Sequence, residues 1–120
     1  TAVKEGFYKK SKTAIRKAYE IDKSYNDYDP VFANAMFYIT LPFPMKSKKK
    51  ALMYYREFEE STTWAVRPYI RRLYCADLLM EVKPKGYKEE AKGLLETVFS
   101  APHLQKFYVD WAEELRSKLK

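Results

Sequence analysis

Three groups of residues in this chain have side chains that catalysis or metal binding often uses: its only histidine, its only cysteine and a short run of glutamates. His103 follows a proline in a turn between two helical patterns, and no Cys or carboxylate cluster at metal-ligand spacing surrounds it. Cys75 lies in an apolar stretch, a position typical of a buried small residue rather than of a nucleophile. Neither residue predicts catalysis.

The glutamates Glu57, Glu59 and Glu60 offer the carboxylates that general acid–base catalysis requires. Because they end a helical pattern, we predict that they face solvent. The chain has no glycine-rich phosphate loop, and a single cysteine excludes an internal disulfide and a cysteine-rich metal site. The sequence therefore predicts a protein that is not an enzyme and that uses neither a metal ion nor a cofactor.

The basic residues could bind an anionic partner, because the net charge of +7 lies mostly in the first half of the chain. Residues 1–50 contain 11 Lys or Arg against 5 Asp or Glu, whereas residues 51–120 contain 12 against 11. Phosphate groups could bind there, and "YIRRLY" (69–74) places Arg beside Tyr, which suits base stacking. Acidic residues are interspersed and no nucleic-acid-binding signature occurs. Solvated basic surfaces are therefore favoured, and nucleic-acid binding remains a second alternative. The basic positions are Lys9, Lys10, Lys12, Arg16, Lys17 and the lysines at 48–50.

The elements that would position these residues are all predicted to be helices, since apolar residues recur at steps of three and four. Only three glycines occur, and no apolar run approaches the roughly 18–20 residues of a membrane-spanning helix. Asp29 is the predicted N-cap of the second helix, with Pro30 in its first turn. Around Pro68, either a helix begins near Arg67 or residues 64–67 form a separate turn. The predicted helices cover residues 6–25, 31–41, 47–61, 64–82, 87–100 and 104–120.

A repeat with a period of 40 residues connects three of these helices. A period of this size predicts an array of helical hairpins, each of which buries its apolar face against the next. A small residue recurs where paired helices would approach closely. The aligned positions are Gly6, Lys46 and Gly86; Ser11, Ala51 and Ala91; Ile15, Tyr55 and Leu95; and Ala18, Phe58 and Val98.

This pattern resembles tetratricopeptide-type repeats, which place a small residue five positions after a glycine and an apolar residue four positions later. The resemblance implies one all-α domain over residues 1–120, a right-handed stack of antiparallel hairpins, with units at 6–25, 29–62 and 64–102 and a capping helix at 104–120. The spacing of 40 residues, rather than 34, departs from the family pattern, as do Phe58 and Val98 in place of alanine. The first unit lacks its first helix, which predicts that an N-terminal portion has been lost or trimmed.

A shorter stretch, "YITLPFPMKSKKKALMYY" (38–55), resembles a motif of bacterial exported tetratricopeptide-like proteins. These include relatives of the periplasmic component associated with TRAP-type solute transport, so the resemblance implies a periplasmic or exported protein rather than a cytoplasmic one. Residues 41–45, which we call the elbow, have two open interpretations. They are either a rigid spacer that stops a helix or a loop that shapes the edge of the array for a partner.

The predicted function is a non-catalytic scaffold that binds a segment of another protein in a concave groove lined by the first helices of the repeats. A first alternative is a small or lipidic ligand in an apolar pocket beside Phe32, Met36 and Met80. Aromatic and Arg anchors would provide most of the affinity for a protein partner. The predicted partner-binding residues are Phe32, Met36, Trp64, Arg67, Arg71 and Arg72.

Overall fold

The chain folds into six helices, which confirms the predicted all-α class. The computed structural model describes the backbone of residues 2–120 and the side chains of residues 6–120, and no strand occurs in that part of the chain. The helices are α1 Ala2–Asp22, α2 Tyr25–Thr40, α3 Lys48–Ser61, α4 Pro68–Val82, α5 Tyr87–Phe99 and α6 Lys106–Lys118.

The chain divides into two compact units, Thr1–Thr63 (unit 1) and Trp64–Lys120 (unit 2). Unit 1 contains α1, α2 and α3, and unit 2 contains α4, α5 and α6. Each unit is built on one closely packed pair of consecutive helices, α2 with α3 and α4 with α5. The arrangement as a single domain with a continuous stack of hairpins remains a prediction.

The helices of the first pair are antiparallel. The Phe32 ring lies 5.3 Å from that of Phe58, and the Tyr38 ring is stacked 5.9 Å from that of Tyr54. Residue numbers rise along α2 as they fall along α3, so the two helices run in opposite directions. Ser47 caps α3, because its side chain accepts a hydrogen bond from the backbone N–H of Lys50 at 3.1 Å. The buried residues of this pair include Val31, Ala35, Ile39, Leu41, Ala51, Tyr55 and Phe58.

A sharp break interrupts the chain before Pro30, where the sequence predicts a new helix. Asn26, Asp27 and Tyr28 have φ values of 52°, 55° and 64°, and helical backbone angles resume at Asp29. The predicted N-cap at Asp29 is therefore wrong, since a capping residue has non-helical angles. Asp27 has the polar role instead, because its carboxylate accepts hydrogen bonds from Thr62 Oγ1 at 2.8 Å and from Thr63 N at 2.9 Å. These bonds hold the left-handed turn against the end of α3.

Unit 2 begins with a non-helical segment at 64–67, and the helix that follows begins next to Arg67, as one of the two predicted arrangements has it. Trp64 and Arg67 have positive φ values, and α4 starts at Pro68, whose missing N–H is tolerated in a first helical turn. α6 packs against both α4 and α5, and the centres of the Trp111 and Tyr74 rings lie 5.0 Å apart in an edge-to-face arrangement. The buried core of the unit comprises Leu73, Ala76, Ala91, Leu95, Val98, Ala112, Leu115 and Leu119.

The aligned apolar positions of the 40-residue repeat are buried in two of its three copies. Ala51 and Ala91 are both fully buried, and so are the residues four and seven positions after them. In the first copy, Ser11 is half-buried and Ala18 is exposed. The reason is packing: α2 covers α3 and α4 covers α5, whereas no helix comes before α1 in residues 2–120. The prediction of a shared buried face therefore holds for α3 and α5 and is wrong for α1.

Candidate binding site at the elbow

The elbow that follows α2 is a tight, hydrogen-bonded turn. Pro42 accepts backbone hydrogen bonds from Met45 at 2.9 Å and from Lys46 at 3.1 Å, and Ser47 N donates to Tyr38 O at 3.2 Å. Leu41 is buried, whereas Phe43 is 91% exposed. The turn therefore presents a large apolar side chain to solvent from a hydrogen-bonded backbone.

A pocket of about 430 Å³ lies between the elbow, the beginning of α1 and the beginning of α3. The pocket forms because α1 runs antiparallel to α2, which brings residues near the start of α1 to the end of α2. Its lining residues are Tyr8, Lys9 and Lys12 from α1, Phe37 and Tyr38 from α2, Leu41, Pro44 and Met45 from the elbow, and Lys46, Ser47 and Lys50 beyond it.

The charge of the pocket is positive. Four of the described lining residues are lysines, and none of the described lining residues is acidic. Lys50 Nζ lies 5.1 Å from the centre of the Tyr38 ring, a favourable cation–π distance. Carboxylates are the protein groups that such a site attracts, while the tyrosines, Phe37 and Leu41 provide apolar contact surface.

The Tyr38 ring already contacts two other side chains of unit 1. It stacks on Tyr54 with an interplanar angle of 1°, and Lys50 lies over the same ring. Burial raises the pKa of Tyr54, with smaller contributions from Tyr38 and Glu57. The Tyr38 ring therefore serves as a wall of the pocket and does not offer a free face for a nucleic-acid base to stack on.

A polar contact between α1 and α3 fixes the position of α1. The Tyr19 hydroxyl donates to the Glu57 carboxylate, at 2.7 Å to Oε1, and Lys23 Nζ lies 3.1 Å from Glu57 Oε2. Burial and then the hydrogen bond to Glu57 raise the pKa of Tyr19 to about 12. The prediction that Glu57 faces solvent is wrong, because its side chain is contacted by Tyr19 of α1 and by Lys23, which directly follows α1. Since α1 carries Tyr8, Lys9 and Lys12, this contact also holds one wall of the pocket in place.

The residues that the sequence singles out for partner binding lie in both units. In unit 1, Phe32 packs on Phe58 and Met36 is half-buried. In unit 2, the Arg72 guanidinium carbon lies 4.5 Å from the centre of the Trp64 ring. These residues remain predicted anchors.

The two remaining predicted anchors differ in exposure. Arg71 is only 4% exposed, which leaves it little surface for a partner. Arg67 is exposed and has a left-handed backbone at the start of α4. A groove that unites all six residues remains a prediction, because each unit is described by itself.

An apolar ligand pocket beside Phe32, Met36 and Met80 remains a prediction, and two pockets of unit 2 bear on it. Met80 lines a pocket of about 300 Å³ that also has charged residues in its wall. A more apolar groove of about 420 Å³ lies between α5 and α6, over Leu95 and Phe99. Its remaining lining residues are Lys92, Glu96, Arg116, Leu119 and Lys120.

Two of the candidate catalytic residues, Cys75 and His103, are placed as the sequence predicts. Cys75 is buried, and His103 is exposed in the turn before α6. Within the described residues, no three His, Cys, Asp or Glu side chains are grouped to hold a metal ion. No helix in that part of the chain is long and apolar enough to cross a membrane.

Sequence reasoning missed the aromatic half of the elbow pocket. It identified Lys9, Lys12 and the lysines at 48–50 as basic surface but did not connect them with Tyr8 or Tyr38. The spacing of Tyr8 and Lys12 places them on one face of α1, which was the available signal. Their meeting with Tyr38 depends on how the helices pair.

Comparison with known protein families, curated proteins and solved structures finds no match for this chain. The resemblance to tetratricopeptide-type repeats therefore rests on the residue pattern alone and remains a prediction. The class that the fold itself defines is an all-α protein built on helical hairpins, with a basic pocket lined by aromatic residues in its first unit.

Proposed function

We propose that this protein is a non-catalytic protein-binding module and that its elbow pocket binds an acidic segment of a partner. The observation that carries the proposal is the composition of the pocket, in which lysines and aromatic rings occur together and no described lining residue is acidic. The hairpins and the pattern of tetratricopeptide type also support a scaffold. The binding site of the proposal is the elbow pocket rather than the concave groove predicted from the resemblance.

The chemistry of a peptide matches the pocket in two ways. Carboxylates of the partner would pair with Lys9, Lys12 and Lys50, and such charge pairs accelerate association and select the partner more than they increase affinity. An apolar side chain of the partner would contact Phe37 in the pocket or Phe43, which is exposed on the elbow. Aromatic anchors of this kind usually contribute most of the binding free energy.

Single-stranded nucleic acid is the less suitable ligand for the same pocket. Base stacking needs a free aromatic face, and the Tyr38 ring is engaged by Tyr54 and Lys50. No arginine lines the pocket among the described residues, although arginine is the side chain that combines phosphate binding with stacking. A protein segment is therefore the preferred partner.

The proposal can be tested with a fluorescein-labelled peptide of sequence Asp-Glu-Phe-Asp-Glu-Leu, by fluorescence anisotropy. Lys50→Glu should weaken binding about tenfold, which corresponds to about 1.4 kcal/mol. Lys49→Glu is the matched control, because this substitution makes the same change of charge at an exposed position outside the pocket. Equal weakening by both variants, or tighter binding of a single-stranded oligonucleotide than of the peptide, would overturn the proposal.

A second candidate function follows from the groove between α5 and α6. The groove has an apolar floor formed by Leu95, Phe99 and Leu119, and three basic side chains and one acidic side chain, Glu96, line its edges. This combination fits a small amphiphilic anion such as an alkyl carboxylate, in line with the transport-accessory alternative. Titration with dodecanoate should shift resonances of Leu95 in an NMR spectrum, and a lack of shifts in unit 2 would reject this candidate.

A further inference from the structure

Helix α1 has two apolar stripes, and only one of them is used inside unit 1. Tyr8, Ile15 and Tyr19 are half-buried on the side that faces α2 and α3. The other stripe, which we call the outer stripe, comprises Phe7, Ala14, Ala18 and Ile21. At about 100° per residue, its members lie within an arc of about 60° and extend over about 21 Å of the helix.

The outer stripe is open to solvent. Phe7 is 66% exposed and Ile21 is 74% exposed, and both alanines between them are exposed. Single exposed apolar residues are ordinary, but Ala14, Ala18 and Ile21 follow one another at helical spacing, and Phe7 lies on the same face two turns before Ala14. Exposed apolar residues aligned in this way are a candidate interaction surface. The small residues in its middle allow another helix to approach closely.

The 40-residue repeat shows what covers the equivalent face elsewhere in the chain. Ala18 corresponds to Phe58 and Val98, which are both buried. Phe58 packs on Phe32 of α2, and Val98 belongs to the core cluster that includes Leu73 of α4. In both of these copies, a helix covers the position equivalent to Ala18, while the positions equivalent to Phe7, Ala14 and Ile21 are half-buried. The middle of the outer stripe is therefore equivalent to a position at which a neighbouring helix packs.

The positive charge of α1 favours a partner helix that carries acidic residues. α1 contains six Lys or Arg against three Asp or Glu, and Lys10 and Lys17 lie beside the outer stripe at the helical spacing. A second copy of the chain that docked α1 on α1 would bring like charges together, which is unfavourable. A helix with acidic residues beside its apolar face would meet opposite charges instead.

We propose that the outer stripe of α1 is the docking face for an amphipathic helix of a partner protein, with acidic residues flanking the apolar face of that helix. This surface is separate from the elbow pocket, since Lys9 and Lys12 lie on other sides of α1. The inference therefore stands whether or not the elbow pocket binds a peptide.

The test uses the full chain and a synthetic helical peptide with Leu at its a and d positions and Glu beside them. We expect this peptide to bind and its Glu→Lys counterpart to bind at least about tenfold more weakly, measured by isothermal titration calorimetry. Ile21→Gln and Phe7→Gln should each weaken binding of the Glu peptide severalfold. Both side chains are exposed, so these variants are expected to remain folded, which circular dichroism checks.

Matched controls separate this surface from other sites. Met53→Gln changes an exposed apolar residue of α3 and should leave binding unchanged, and Ile21→Gln should weaken binding of the Glu peptide more than Lys50→Glu in the elbow pocket does. Lys17→Glu should weaken binding of the Glu peptide more than Lys49→Glu does. If Lys50→Glu weakens binding while Ile21→Gln does not, the helix occupies the elbow pocket and the inference is wrong.

Two other results would also overturn the inference. Equal affinity for the Glu and Lys peptides would show that charge does not select the partner. Sedimentation that shows a dimer of the chain, lost in Ile21→Gln, would show that a second copy covers the outer stripe despite its charge.

Discussion

Enlarging the small residue of the repeat is the most direct test of the packing. Ala91 is fully buried between α4 and α5, in the cluster that includes Leu73 and Leu95. Ala91→Leu adds an isopropyl group where the interior is already close-packed. Overpacking of this kind costs about 1–3 kcal/mol. A unit of about 60 residues has about 3–9 kcal/mol of stability, so the variant should lose a substantial fraction of it.

The measurement is urea unfolding followed by far-ultraviolet circular dichroism, together with thermal unfolding. A loss of about 2 kcal/mol should lower Tm by about 8–16 °C. Ser11→Leu is the matched control, because Ser11 has the same repeat position but is only half-buried. It should change stability by no more than about 0.5 kcal/mol. Equal losses for the two variants, or none for Ala91→Leu, would refute the close packing inferred at this position.

Three further predictions concern single contacts of unit 1. The free energy of unfolding should fall by about 1 kcal/mol as pH rises from 10 to 12, because Tyr19 ionises near pH 10 in the unfolded chain and near pH 12 in the folded chain. Solvent screening around this half-buried side chain keeps the fall in free energy to about this size. Tyr19→Phe should remove this part of the pH dependence in urea unfolding. Asp27→Ala should cost about 0.5–1.5 kcal/mol, since the half-buried Thr62 hydroxyl loses its acceptor. Phe58→Ala should cost about 3–5 kcal/mol, because it leaves a cavity beside Phe32; both losses are measured by urea unfolding.

Each of these predictions has a control in the same chain. Tyr25→Phe alters an exposed tyrosine and should preserve the fall between pH 10 and 12. Asp27→Asn keeps an oxygen acceptor and should cost less than Asp27→Ala. Phe107→Ala removes an exposed ring and should change the free energy of unfolding by no more than about 0.5 kcal/mol. A pH dependence unchanged in Tyr19→Phe, or equal costs within either of the other pairs, would contradict the corresponding contact.

Helix number and most helix ends could be predicted because their causes are local. Apolar spacing defines one face of a helix, and Pro42, Pro68 and Ser47 mark ends through missing donors or a capping hydroxyl. The turn at 26–28 could not be predicted in the same way. Its left-handed residues are stabilised by Asp27 through Thr62 and Thr63, which follow more than thirty positions later.

The candidate site was only half visible for a related reason. The lysines of the elbow pocket are evident from charge, but a list of basic positions does not reveal which of them converge. Lys12 and Lys50 line one pocket because α1 and α2 run antiparallel. Lys49, which directly precedes Lys50 in the sequence, does not line that pocket.

The sequence by itself determined the all-α class, the six helices, the uneven charge and the 40-residue recurrence, because each depends on residue types at short or regular spacing. Only the tertiary structure decided which recurring faces are covered. Ala51 and Ala91 are buried because a helix packs on each, and Ala18 is exposed although its position in the repeat pattern is equivalent to that of two buried residues. A residue is buried only when a second surface packs against it, and a periodic sequence pattern describes only the first surface.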